Sequence, residues 1–310
     1  MSDDFLFVER YRPKLLSECI LSTTMAETFY GIVKAGQLQN MLFSGTAGTG
    51  KTTVAKALCN ELDLDYIVIN GSMDANMDAL RGKIKQFASS ISLSGGYKVV
   101  ILDEADYLSP QVQASLRGFI EEFSNNCRFI LTCNFKNRII EPIHSRCSNY
   151  EFNLTGTEKG KLALNFLKRL VSICEKENIE VEKKVLAQLV NNHFPDFRRV
   201  LNEVQRYGSN GQINSDILVN ENTNIQLLMQ SLKEKNFKSM RKWVVDNVDV
   251  EPTTIFRMIY DNIFDYAKGH SSAQVILILA DYQYKNSFVA CKELNLVACL
   301  VEIMGSADWQ

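Results

Sequence analysis

Between residues 40 and 152, short apolar and β-branched runs alternate with longer stretches whose apolar residues recur every three or four positions. That alternation predicts a parallel sheet whose strands are joined by helices. The strands are expected at 41–43, 66–70, 97–102, 128–133 and 150–152, and the helices at 52–61, 77–89 and 111–123, with Asp74 and Ser109 as caps. On the 77–89 helix, Met77, Leu80, Ile84 and Phe87 form one inward stripe and leave Arg81 and Lys85 a turn apart on another face. After Leu154 the strand pattern stops. Two helical blocks follow, 157–207 and 224–304, separated by the turn-rich stretch GSNGQINSD and by the polar stretch VNENTN, which reads as a hinge or linker. The expected plan is an α/β domain over 1–153, a helical lid over 154–222 and an all-α domain over 223–310, with no internal repeat and no low-complexity tract.

Composition narrows the chemistry only a little. The 310 residues suit two or three domains. The 34 Lys and Arg nearly cancel 36 Asp and Glu, so contact with nucleic acid has to come from a local patch. Eight cysteines, Cys19, Cys59, Cys127, Cys133, Cys147, Cys174, Cys291 and Cys299, show neither a C-x-x-C pair nor zinc-ligand spacing and read as buried, reduced thiols. The opening MSDDFLFVER lacks a basic region followed by an apolar one, so a cytoplasmic location is expected. The apolar run at 275–280 is far shorter than the roughly 20 residues a spanning helix needs, and no membrane role is expected.

The chemistry sits at the strand ends. Gly45-Thr46-Ala47-Gly48-Thr49-Gly50-Lys51-Thr52 fits G-x-x-x-x-G-K-T in full, between an expected strand and an expected helix. In such a loop glycines let backbone N–H groups face phosphate oxygens, and the start of the next helix adds a positive field. Lys51 then holds the β and γ phosphates of ATP, and Thr52 offers its hydroxyl to Mg²⁺. The run Lys98-Val99-Val100-Ile101-Leu102-Asp103-Glu104 is a buried strand ending in two acids, the Walker B pattern. Asp103 supports the metal shell, through water, and Glu104 reaches the attacking water.

Asp103-Glu104-Ala105-Asp106, together with Glu9-Arg10-Tyr11-Arg12-Pro13 and Ser145-Arg146-Cys147, resembles the signatures of AAA+ sliding-clamp-loader ATPases. Among these the large subunits of T-even-type phage loaders are most similar, followed by the replication-factor-C small subunits. The stretches TTVAKALC at 52–59, NGS at 70–72 and FPDFR at 194–198 add to the phage likeness, which runs from about Glu9 to Tyr207. The resemblance implies an adenine pocket of Val8, Glu9, Arg10, Tyr11 and Ile20. Phosphate contacts then come from Gly48, Thr49, Gly50, Lys51, Thr52 and Thr53. It makes Asn134 the first sensor, Arg146 an arginine finger acting on a neighbouring subunit's ATP, and Arg198 the second sensor, with Arg199 as the alternative register. It also assigns Arg81, Lys85 and Arg138 to duplex phosphates, Gln113 and Arg117 to coupling between neighbouring sites, and the C-terminal helices, such as 277–299, to an oligomerising collar.

One departure stands out. Related phage chains place a lysine just before the Arg81 helix to restrain the catalytic glutamate until DNA arrives, but residues 73–78 hold no basic side chain and the matching position is Asn76. Leakier hydrolysis without DNA is expected from that change, because a neutral hydrogen bond restrains less than a charge-assisted one. The partners implied are a DNA sliding clamp, primer-template DNA, further copies of the chain and a distinct small subunit. Two other readings stay open: an AAA+ remodeller of polypeptides, for which no aromatic pore loop is evident, and a nonhydrolysing structural subunit, against which Lys51, Asp103, Glu104 and Arg146 all argue.

Overall fold

The computed structural model describes residues 5–73, 77–90, 96–153, 158–213, 216–248 and 250–309, and the chain divides into two compact units, Met1–Asn214 and Ser215–Gln310. The first begins with the short helix α1 (Phe7–Arg10) and helix α2 (Thr23–Ala35). Then β1 (Met41–Ser44), α3 (Lys51–Glu61), β2 (Tyr66–Asn70), α4 (Met77–Ser89), β3 (Lys98–Asp103), α5 (Pro110–Glu122), β4 (Cys127–Cys133), α6 (Glu141–His144) and β5 (Ser148–Glu151) build an α/β layer. All five strands are parallel and lie in the order β2-β3-β4-β1-β5.

Both faces of the sheet are covered, which is why the central strands are apolar on every side. Phe43, Ile101 and Ile130 turn to one face, where they meet Phe29 of α2 and Leu58 of α3. Their neighbours Leu42, Val100, Leu102 and Leu131 turn to the other and meet Ile84 of α4 and Leu116 of α5. The register pairs Ser44 with Cys133 and Asn70 with Asp103. The chain therefore leaves β1, β2, β3 and β4 along one edge of the sheet, where loops can converge.

Helices α7 (Glu158–Lys176), α8 (Lys183–His193) and α9 (Phe197–Gly208) form the lid, with Phe166, Leu170, Leu186, Leu189, Val200 and Val204 buried. Strand signals do not stop at Leu154: β6 (Glu180–Val181) and β7 (Gln212–Ile213) pair in parallel and join the start of α8 to the end of α9. Two residues per strand are too few to show a period-2 pattern, so the pairing is invisible in the sequence.

The second unit contains α10 (Asp216–Lys233), α11 (Phe237–Asp246), α12 (Pro252–Asn262), α13 (Gly269–Lys285) and α14 (Lys292–Ser306) around a core that includes Leu228, Met229, Met240, Ile255, Ile259, Leu296, Cys299 and Leu300. Here two expectations fail. The stretch VNENTN lies inside α10, and the chain divides at Asn214 and Ser215 instead. Polar residues alone do not break a helix that carries no Gly or Pro. The collar segment expected at 277–299 is two helices, because α13 ends at Lys285 and α14 starts at Lys292. No described helix is long and apolar enough to cross a membrane. The thiols are reduced, yet Cys291 is exposed and Cys19 half-buried, contrary to a uniformly buried set.

Candidate functional site

The loop leaving β1 closes into a phosphate cradle. Gly50 takes a left-handed conformation, φ 90°, as the cap that turns the chain into α3. Gly48, φ 76°, is crowded, since a Cβ there would stand 1.8 Å from Oδ1 of Asp196 in the lid. The Phe197 N–H donates to the Gly48 carbonyl at 3.1 Å, so the turn before α9 sits directly on the loop. Lys51, the first residue of α3, is buried, and its ammonium donates to the carbonyls of Gly45 and Thr46, each at 2.8 Å, and to Asn134 Oδ1 at 2.9 Å. Burial lowers its pKa below the usual lysine value. A buried cation ringed by neutral oxygens is poised to exchange them for anionic ones.

Opposite stand the acids that end β3. The Thr52 hydroxyl donates to Asp103 Oδ1 at 2.5 Å, and the Thr132 hydroxyl, from β4, donates to the same oxygen at 2.6 Å. The Glu104 N–H donates to Thr132 Oγ1 at 3.1 Å, and Glu104 has a left-handed backbone with φ 55°. The hydroxyl of Thr52 and the carboxylate of Asp103 are hard oxygen donors side by side, which suits Mg²⁺. Asp106 is buried, and its Oδ2 accepts the N–H groups of Asn134 at 3.1 Å and Phe135 at 3.0 Å, fixing the turn that presents Asn134 to Lys51.

Away from the phosphates the cleft continues between the N-terminal segment and the lid. Val8, Tyr11 and Ile20 line it together with Gly48, Thr49, Gly50, Lys51, Thr52, Thr53, Asp103, Glu104, Asn134 and Arg198. Glu9 and Arg10 are not among its lining residues. Residues 7–10 form one helical turn, which puts Val8 and Tyr11 on one face and their two intervening neighbours on the other. Glu9 pairs with Arg12, and Arg10 reaches Glu177 of the lid at 2.7 Å. The Tyr11 hydroxyl also donates to Glu177, at 2.5 Å, and these bonds, the tyrosine's first, hold that carboxyl below the ordinary glutamate range.

Arg169, on α7, donates to the carbonyls of Tyr11, at 2.9 Å, and of Glu18, and so ties both walls of the pocket to the lid. No local motif signals Arg169 or Thr132; their roles come from tertiary contact. Between the two sensor registers, Arg198 lines the cleft and lies in the field of Lys51, whereas Arg199 gives only its N–H, at 3.0 Å, to the Asp196 cap.

Arg146 is elsewhere. It precedes β5, whose first residue Ser148 pairs with Met41 at the start of β1, so it belongs to the amino edge of the sheet. Its guanidinium meets Glu121 Oε1 on α5, with Nε at 2.8 Å and Nη2 at 2.5 Å, and donates to the Pro142 carbonyl at 2.8 Å.

Gln113 is buried, contrary to a place on an interface. Its amide donates to the carbonyls of Leu108 at 2.9 Å and Arg138 at 3.0 Å, and its Oε1 accepts the Ile140 N–H at 2.9 Å. A fully engaged buried amide cannot also reach across an interface, and Gln113 instead joins the segment after the Walker B acids to the segment after Asn134. Arg117, a turn further on, is exposed. Arg81 and Lys85 are exposed on α4, Arg81 lying 6.0 Å from the Phe119 ring centre, and Arg138 is exposed with its guanidinium 4.6 Å from the Phe135 ring centre. Asn76 and the expected cap Asp74 lie outside the described residues.

The chain is similar to several known proteins. A family model for ATPases associated with various cellular activities matches residues 41–154. A second, for the AAA+ ATPase lid domain of the sliding-clamp-loader large subunit, matches residues 158–219. The chain is 35% identical to the sliding-clamp-loader large subunit of Escherichia phage RB69 over all of this chain and 98% of that one. It is 32% identical to the subunit of the same name from Enterobacteria phage T4, over 99% of this chain and 98% of that one. A replication factor C small subunit from Archaeoglobus fulgidus is 38% identical over 67% of this chain and 65% of its own length. Among solved structures, a Thermotoga maritima RuvB variant superposes with a TM-score of 0.55 at 18% identity, over 83% of this chain and 81% of that one, a likeness of fold alone.

Proposed function

The chain belongs to the sliding-clamp-loader large-subunit family of AAA ATPases, and from that premise we propose how its residues couple ATP to the loading of a clamp. It is an ATPase subunit of a clamp loader. The detailed reading is that several copies, joined by a distinct small subunit, bind ATP at shared interfaces, open a sliding clamp and close it around primer-template DNA.

Adenine enters between Val8, Tyr11 and Ile20, which offer an apolar surface under the lid. Phosphates displace the Gly45 and Thr46 carbonyls from Lys51, and the N–H groups of the loop and of α3 take the remaining oxygens. Thr52 and Asp103 would hold magnesium, which would supply charge neutralisation on the phosphates. Glu104 accepts the proton of the attacking water, and Asn134, kept in place by Asp106, orients that water. Arg198 of the lid reports on the γ-phosphate of its own chain. Arg146 leaves Glu121 for the γ-phosphate of the adjoining copy and offsets the charge that grows there in transfer. Arg81, Lys85 and Arg138 meet duplex phosphates, contacts that position DNA without reading its sequence.

The observation that carries this reading is the place of Arg146. The cation that completes the catalytic set in the family signature stands at the sheet edge away from its own chain's cleft, and it is not among that cleft's lining residues. A second copy is needed to bring it to phosphate. The test is ATP turnover by the assembled loader with its clamp and primer-template DNA. Turnover is expected to rise when both are added; turnover indifferent to both refutes the reading.

A further inference from the structure

Glu104 is the one described residue of the cleft's acidic pair with an unfavourable backbone: its φ of 55° and ψ of 45° lie in the left-handed region. A non-glycine residue held there needs support from its surroundings, and such strain gathers where a side chain has to be aimed. Support comes from both neighbouring strands. On the β2 side, the Gly71 N–H donates to the Asp103 carbonyl at 2.7 Å, and a Cβ at Gly71 would stand 2.6 Å from the Glu104 carbonyl oxygen. On the β4 side, Thr132 is 2% exposed and its single hydroxyl is used twice. It accepts the Glu104 N–H at 3.1 Å and donates its own proton to Asp103 Oδ1 at 2.6 Å.

Resting on the reading of Glu104 as the base and Asp103 as the metal-shell acid, we infer that Thr132 is the positioning residue of this pair. Its hydroxyl fixes the left-handed turn that aims the Glu104 carboxylate and at the same time sets the rotamer of Asp103. The direction of the bonds matters. The hydroxyl proton is committed to the carboxylate, so the lone pairs are free for the Glu104 N–H, and one atom orders both acids relative to each other. Because Thr132 and Gly71 approach from opposite sides, the turn has no free direction in which to relax. Thr132 lies in the wall of the cleft behind the two acids, and its effect is on where they point.

The consequence is a split between binding and turnover. Phosphate affinity rests on Lys51 and the loop N–H groups, which Thr132 does not contact, whereas proton transfer and metal support rest on the two acids it orders. Thr132→Val keeps the shape and removes both hydrogen bonds; Thr132→Ser restores the hydroxyl without the methyl group. Steady-state hydrolysis is measured on the assembled loader with clamp and primed DNA, nucleotide affinity with a fluorescent ATP analogue, and folding by thermal melting. Thr132→Val is expected to lower kcat about 10- to 100-fold, the scale of one lost hydrogen bond to a charged group, with KM and analogue affinity changed less than about threefold. Thr132→Ser is expected to recover most of the loss. Glu104→Gln runs beside them as a control on the premise. If Glu104→Gln leaves turnover intact, the reading of the base fails. If Glu104→Gln abolishes turnover while Thr132→Val, folded and binding nucleotide, turns over normally, the inference about Thr132 fails. A Thr132→Val loss of nucleotide affinity matching its loss of rate, or a Thr132→Ser variant as slow as Thr132→Val, also overturns it.

Discussion

At the carboxyl edge of the sheet, Lys51, Thr52, Asp103, Thr132 and Asn134 are tied to one another and to backbone by hydrogen bonds among buried or half-buried groups. At the amino edge, Arg146 is only partly covered and is held by Glu121, an exposed carboxylate, and by nearby loop atoms. Burial explains the difference. Groups inside the cleft lose water on folding and have to be paired within the chain, while a surface ion pair is worth little and is readily exchanged. One edge is a finished cradle, and the other presents a cation already partnered by an anion. That difference fits a catalytic set divided between copies, the cradle from one chain and the finger from the next.

The largest effect expected follows from removing the finger. Arg146→Ala should lower turnover of the assembled loader by about 10³-fold or more, the range seen for arginine fingers, while the isolated chain binds ATP as before. Equal loss of nucleotide binding would erase the contrast between the two edges. Gly48→Ala should do the reverse. It forces a Cβ against Asp196 and a left-handed alanine, so ATP affinity of the isolated chain is expected to fall roughly tenfold, from a strain of about 1–2 kcal/mol. Calorimetry of the single chain reads this without any assembly.

Glu121→Gln probes how loosely the finger is held. Turnover in the assembled loader before DNA is added should rise by no more than a few-fold, because exposed ion pairs contribute little. The smallest effect concerns the tie between the N-terminal segment and the lid. The Glu177 carboxyl lies below its ordinary range, so its contribution is complete at neutral pH, starts to fall as pH drops into the ordinary glutamate range and is gone below the lower folded-state value. The difference in melting temperature between wild type and Glu177→Gln should therefore be constant from pH 8 to about 5 and shrink below that.

Much of the cleft was legible because the P-loop and the strand ending in Asp103 and Glu104 are contiguous motifs whose register in a parallel sheet brings them to one edge. β1, β3 and β4 emerged within a residue because buried strands are nearly all apolar, and α4 emerged from its clear 3.6-residue stripe, whereas the edge strand β5 is polar, has no buried residue and starts two residues before the run that suggested it. Where the sequence misled, local pattern was overruled by tertiary contact. Glu9 and Arg10 belong to the right motif, but one turn of helix carries them off the cleft. Gln113 was expected to couple neighbouring sites, yet its amide is buried and consumed by three backbone groups of its own chain. Thr132 and Arg169 gave no signal at all, since a threonine in a strand and an arginine in a helix are ordinary until the fold shows what they touch. The polar run VNENTN has the composition of a linker but no Gly or Pro to stop α10, and the α13–α14 break has neither Gly nor Pro to announce it.

The sharing of one site between two copies is tested most directly by mixing chains with opposite defects. Loader assembled from Lys51→Met chains alone, or from Arg146→Ala chains alone, should be inactive with clamp and primed DNA. Loader assembled from both should regain a measurable fraction of wild-type turnover, because some interfaces then join an intact cradle to an intact finger. A mixture as inactive as either variant, with assembly confirmed by mass, would contradict the account and return Arg146 to its own chain.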